Sequence, residues 1–155
     1  MTQPVRRALV IYACAFAVAG ATPFLLLPLL TRYLTPAQFG EVTSFLILVT
    51  LLGNLAGLSA HGFVAVRFFK TTVDRFRNTV SSAIATLGAV HLLAFAVVGL
   101  AYPLLQRALG LSLPQVWLAV LAALFLNLNF VFLAIFQSTS QPWRYLQARV
   151  LQGSL

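Results

Sequence analysis

Apolar residues in this chain gather into four long blocks, at about Ala8 to Leu30, Val42 to Val66, Val80 to Leu100 and Gln115 to Phe136. Each block reaches the roughly 20 helical residues that cover about 30 Å of hydrocarbon. Buried parallel strands would be far shorter, so the blocks read as helices. The expected fold class is therefore all-α: one polytopic membrane helical bundle over 1–155, with four transmembrane spans. A last segment, 142–155, opens with Pro142 and the interfacial aromatics Trp143 and Tyr145. It is too short to span, and reads as an inner-surface helix or as the start of a fifth span in a longer chain.

Composition narrows the class further. The chain is 61% hydrophobic and 8% charged, with Asp and Glu totalling 2, so it lacks the charged surface that keeps a soluble domain of this length in water. Arg6 and Arg7 precede the first block, and Ala15, Ala17 and Ala19 supply Ala-x-Ala steps of the kind that end a signal peptide. The apolar run continues to Leu30, which favours an uncleaved span over a removable leader.

Basic residues alternate between the two sides of these blocks. Arg6, Arg7, Arg67, Lys70, Arg75, Arg77, Arg144 and Arg149 fall on one side, while the other connectors hold only Arg32 and Arg107. The positive-inside rule then puts the N-terminus, the second connector and the C-terminal end in the cytoplasm. The net charge of +8 is a topology signal, and no nucleic-acid partner is expected because the cations form no single stripe.

Within the blocks, Pro23 and Pro28 each free a carbonyl and bend the first span, either as tolerated kinks or to shape a cavity. Gly53 and Gly57, continued by Ala56 and Ala60, form a small face with the Asn54 amide beside it, where another helix can approach closely. The connector Arg67 to Asn78 mixes cations with Phe68, Phe69 and Phe76 and is expected to lie on the membrane surface. Ser81, Ser82, Gly88 and His91 mark the third span, and Asn127 and Asn129 the fourth. Such polar groups face other helices or a wet cleft, and helix-to-helix hydrogen bonding and cavity lining remain equally open.

Candidate chemistry is sparse. The only carboxylates, Glu41 and Asp74, are assigned to opposite faces of the membrane, so they cannot form an acid–base pair. Cys14 is alone, and His61 and His91 sit on different spans without ligand-spaced partners, so no metal, cofactor or enzymatic activity is expected. None of the four spans carries an acid to compensate a crossing cation. The Arg-bearing rims favour an anionic passenger instead, since a guanidinium presents a two-pronged donor set to phosphate.

The stretch Leu27-Pro-Leu-Leu-Thr-Arg-Tyr-Leu-Thr-Pro-Ala-Gln-Phe-Gly40, followed by an apolar span and then Gly62-Phe-Val-Ala-Val-Arg67, carries a more specific signal. It resembles the oligosaccharide flippases of the O-antigen type, the polysaccharide-transporter branch of the multidrug/oligosaccharidyl-lipid/polysaccharide exporter superfamily. Pro28, Thr31, Arg32, Leu34, Pro36, Phe39, Gly40, Gly62 and Arg67 match that pattern in order and spacing. The match covers about the first 70 residues, and the remainder agrees by span count and topology. Pro36 would open a short interfacial segment and Gly40 would permit a tight reversal into span two.

The resemblance implies part of the N-terminal lobe of a two-lobed exporter with a central cleft. Its implied passenger is an undecaprenyl-pyrophosphate-linked oligosaccharide, with membrane lipids and the remaining helices of a longer chain, or other envelope-assembly proteins, as partners. Arg32 would meet sugar or pyrophosphate oxygens near the outer end, unless it is a snorkelling anchor. Arg67 would attract the headgroup at the cytoplasmic mouth. Asn54 and His61 complete the substrate-binding candidates, although relatives more often have a small or acidic residue at the position of His61. The alternatives are a drug or metabolite exporter of the same superfamily and a non-transporting scaffold of an envelope-assembly complex.

Overall fold

Every regular element among the residues that the computed structural model describes, 3–70, 72–139 and 142–153, is an α-helix. In chain order these are α1 (Gln3–Tyr33), α2 (Pro36–Gly57), α3 (Ala60–Phe68), α4 (Val73–Leu100), α5 (Tyr102–Leu109), α6 (Leu113–Ser138) and α7 (Pro142–Gly153). Three of them are long and apolar enough to cross a membrane: α2, the Asp74–Leu100 part of α4, and α6. The first expected span falls in α1. There Phe24–Tyr33 is an apolar stretch too short to cross alone, and several side chains before it, Pro23 included, lie outside the described residues.

Reciprocal caps decide where two of the long helices begin. The Thr35 hydroxyl accepts from the Gln38 amide at 3.4 Å, and Gln38 Oε1 accepts from the Thr35 amide at 3.0 Å. Ser112 and Gln115 repeat the arrangement ahead of α6, with the Ser112 amide donating to Gln115 Oε1 at 2.7 Å. Each box satisfies amides that a helix start leaves without partners, and a proline in the first turn has no amide to lose. The reversal after α1 is therefore complete at Leu34 and Thr35. The interfacial segment expected at Pro36 and the reversal expected at Gly40 do not occur, because the cap starts α2 at Pro36 and Gly40 lies inside it.

Three further boundaries differ from the sequence reading. Span two, expected unbroken from Val42 to Val66, is interrupted at Leu58 and Ser59. The connector from Arg67 to Asn78 is largely helical. Thr72 is the N-cap of α4, and Asp74 in the first turn complements the helix dipole, so α4 begins well before Val80. Between Leu100 and Leu113 the chain forms α5, started by Pro103 and closed by Gly110 at φ 69°, where only a glycine adopts the left-handed conformation without penalty.

Helix α6 is the hub, packing against α2, α3, α4 and α7. Near its start, Leu48, Leu52, Val98, Leu111, Val116, Ala119, Val120 and Ala123 form one buried cluster. Trp117 stacks on Phe95 with ring centroids 3.8 Å apart, directly over Gly99. Further along, Val64, Ala83, Leu87 and Val131 join α3, α4 and α6.

At the far end of α6, Leu133 and the buried Tyr145 seat α7, which also packs along α1. Tyr12 meets Tyr145 edge-on at 5.0 Å, and the Arg149 guanidinium lies 5.5 Å from the Phe16 ring centroid. Arg149 was expected among the membrane-flanking cations. The structure sets it beside Phe16, eight residues beyond Ala8, about 12 Å along the apolar run.

Candidate functional site

The interruption between α2 and α3 is the least regular backbone in the bundle. Leu58 and Ser59 are consecutive left-handed residues with φ of 46° and 51°. For residues bearing a Cβ this conformation costs roughly 1–2 kcal/mol apiece. Ser59 then restarts the chain as a helix, its carbonyl accepting from the Gly62 amide at 2.9 Å and the Phe63 amide at 3.2 Å. In a membrane, a break of this kind is tolerated where neighbouring groups or a cavity satisfy the freed backbone.

A cavity of about 210 Å³ borders the break, lined by Thr50, Gly53, Asn54, Gly57, Ser59, His61, Leu126, Asn127 and Phe130. Its polar groups come from three elements and the turn joining two of them, so the interruption brings together side chains that an unbroken helix would string along its length. Asn127 is the anchor. It is buried, and its Nδ2 donates to the Gly53 carbonyl at 3.1 Å, the hydrogen bond across helices that an amide in hydrocarbon requires. A Cβ on Gly57 would collide with Asn127 Oδ1 and stand 3.0 Å from Cγ, so this glycine makes room for the amide. A Cβ on Gly53 would meet only Leu126 Cδ2, at an ordinary 3.6 Å. Asn127 lies 14 residues along α6 from Leu113, roughly 21 Å into a helix of about 39 Å, which puts the cavity near mid-depth.

Several polar groups of the bundle already bond within their own helix. His91 is 3% exposed and its Nδ1 lies 2.8 Å from the Leu87 carbonyl. A carbonyl only accepts, so Nδ1 carries the proton and Nε2 is a buried nitrogen with no hydrogen-bond partner among the described residues. The hydroxyls of Thr50, Thr86 and Thr139 each donate to a carbonyl one turn earlier, at 2.8 Å in every case. Among the described residues no three of His, Cys, Asp and Glu gather as a metal site. What the cavity offers is therefore hydrogen bonding from amides, hydroxyls and one imidazole.

The four residues proposed from sequence fall into two groups. Asn54 and His61 line this cavity together, with the His61 ring 5.8 Å from that of Phe130. Arg32 and Arg67 are not among its lining residues. Arg32 is exposed in the last turn of α1, and Arg67 ends α3 with its guanidinium 5.4 Å from the Phe63 ring centroid. Both cations complement the negative end of their helix. Thr50 and Ser59 were missed as lining residues. The signal for Ser59 is the punctuation Gly57-Leu-Ser-Ala-His-Gly62, two glycines bracketing polar residues inside an apolar run, and that for Thr50 is only its place one helical turn before Asn54.

No family model, curated protein or solved structure matches this chain.

Proposed function

We propose that this chain is part of a membrane transporter that flips lipid-linked oligosaccharides, working by alternating exposure of a cleft and without covalent chemistry. The observation that carries the reading is the interrupted helix α2–α3 beside a polar cavity near mid-depth, which is how transporters present backbone and side-chain polar groups to a passenger inside a bilayer. The cavity offers Asn54, His61, Ser59 and Thr50, hydrogen-bonding groups matched to sugar hydroxyls. The resemblance around Leu27 to Gly40 supports the same passenger class, an undecaprenyl-pyrophosphate-linked repeat unit of a surface polysaccharide in a bacterial inner membrane. In this reading the N-terminus is cytoplasmic, and the pyrophosphate is met by Arg32 and Arg67 at the two ends of the path.

The test is surface-polysaccharide display in cells carrying the full-length protein with Asn54→Leu and His61→Leu together. Display is expected to fall at least tenfold while the inserted amount of protein is unchanged, since unpaired sugar hydroxyls in an apolar cavity lose hydrogen bonds worth about 1 kcal/mol or more each. Normal display by the stably inserted double variant overturns the assignment of this cavity. Raised drug sensitivity with unchanged display assigns it to an exporter of small molecules instead.

A further inference from the structure

A second cavity, of about 310 Å³, lies on the other side of the break, between α3 and α4. Leu58, Ala60 and Phe63 form one wall, and Ser82, Ala83, Thr86 and Leu87 the other. Its two hydroxyls are already committed within α4, Ser82 donating to the Thr79 carbonyl at 3.0 Å and Thr86 to the Ser82 carbonyl at 2.8 Å. The surface presented is in effect hydrocarbon. The volume is about twice that of a roughly 150 Å³ cavity that takes up benzene.

Charge is concentrated at one end of this groove. Phe63 belongs to the groove wall and also lies under the Arg67 guanidinium, at 5.4 Å from ring centroid to Cζ. Lys70 is exposed just beyond, and the stretch from Arg67 to Asn78 holds Arg67, Lys70, Arg75 and Arg77 against the single acid Asp74. From Phe63, the wall residue under Arg67, the groove runs back past Ala60 to Leu58, five residues along the chain, into the apolar part of the bundle. A cationic mouth opening on an apolar trough matches a molecule with a phosphate at one end and a hydrocarbon chain at the other.

We propose that the α3–α4 groove is a binding site for an anionic phospholipid, with one acyl chain between Phe63 and Thr86 and its phosphate on Arg67 and Lys70. The proposal rests on the α3–α4 turn lying at a membrane surface, and is independent of what the protein transports. Two basic residues at such a surface give a roughly 10- to 30-fold preference for an anionic over a zwitterionic headgroup. A lipid held there buttresses the break from the side opposite the polar cavity.

The experiment is thermal unfolding of the purified full-length protein in detergent, titrated with phosphatidylglycerol or with phosphatidylcholine of identical chains, and separately with inorganic phosphate. Phosphatidylglycerol is expected to raise the midpoint at a roughly tenfold lower concentration than phosphatidylcholine, and inorganic phosphate to leave it unchanged. Arg67→Gln with Lys70→Gln should erase the difference between the two lipids. Thr86→Phe, at an exposed position, should fill the trough and remove the response to both. Ser82→Phe provides the same block one turn away. Equal response to the two lipids, or a preference that survives the paired glutamines, overturns the proposal. A Thr86→Cys variant in a Cys14→Ala background that crosslinks to another helix or a second copy assigns the groove to protein, and also overturns it.

Discussion

Near Leu113, α6 meets α2 and α4 through Leu48, Leu52, Val98, Val116, Ala119, Val120 and Ala123, all buried and all apolar. Two to three turns further on, from Leu126 to Phe130, the same helix meets α2 through an amide, a carbonyl and a cavity. Each region uses a glycine to admit a large side chain from α6: Gly99 on α4 takes the Trp117 indole, and Gly57 on α2 takes the Asn127 amide. The first exchange adds dispersion contacts and is indifferent to solvent. The second commits the helices to one register, because only there does Asn127 reach the Gly53 carbonyl. Packing thus holds α2, α4 and α6 together near Leu113, and polar contact specifies their alignment where α2 ends. Directly beyond that register lock the backbone breaks, so the irregular segment is anchored on one side.

The sharpest way to break this comparison is at Gly57. A Gly57→Ala Cβ meets the Asn127 amide, which has no flexible stem with which to retreat in a buried site. Overpacking of this kind costs about 1–3 kcal/mol, and the hydrogen bond to Gly53 adds about 0.6 kcal/mol if it is lost. Thermal or detergent-induced unfolding of the purified protein should show that loss, and Asn127→Ala in the same chain should recover part of it by removing the obstacle. Gly53→Ala is the matched control, expected within about 0.5 kcal/mol of the parent. Equal damage from the two alanines would show that the small face as a whole matters, and that the amide does not.

How far the sequence anticipated these two regions follows from what hydropathy can register. The Gly53–Gly57 face was readable as a place of close helix approach, because small residues four apart admit a neighbour, whereas the Asn127 amide was readable only as a group that needs a partner, with helix bonding and cavity lining both open. The start of α2 was half readable: Pro36 marks the opening of a segment, while the reciprocal bonds of Thr35 with Gln38, and those of Ser112 with Gln115 ahead of α6, leave no trace in the hydrophobic pattern. The break was invisible to hydropathy. Leu58 is as apolar as its neighbours, and a left-handed φ leaves no trace in a hydrophobic average. Arg149 has contacts that hydropathy does not register either: α7 packs along α1 and sets the guanidinium beside the Phe16 and Tyr145 rings. Asn54 and His61 share a cavity because of that same unforeseen break, so their pairing came from the fold, and their separate polarity from the sequence.

A smaller effect is expected in the apolar region. In Gly99→Ala the new Cβ would stand 2.5 Å from Trp117 Cη2. Trp117 is half-buried, so its ring can tilt off Phe95 at a cost of about 1–2 kcal/mol, at the lower end of overpacking penalties. Tryptophan emission, compared with a Trp143→Phe background that leaves Trp117 alone to report, should shift together with the loss of stability. An unchanged spectrum would mean that α4 moves as a body, and that the stack with Phe95 holds more tightly than the α4–α6 contact.

The smallest expected change concerns the break itself. If Leu58 and Ser59 are held left-handed by the packing on either side, local strain is being tolerated there, and Ser59→Gly should relieve it. Removing the roughly 1–2 kcal/mol penalty of a left-handed residue, less the 0.5–1 kcal/mol that glycine's freedom costs in the unfolded chain, leaves a net gain of about 0.5–1 kcal/mol. For a chain of this size that is a rise of about 1–4 °C in the unfolding midpoint. The same change removes one hydroxyl from the cavity, so under the proposed function stability and polysaccharide display should move in opposite directions. A lower midpoint would mean that the Ser59 side chain itself supports the interruption, making the break a product of the cavity's contacts more than of the helices around it.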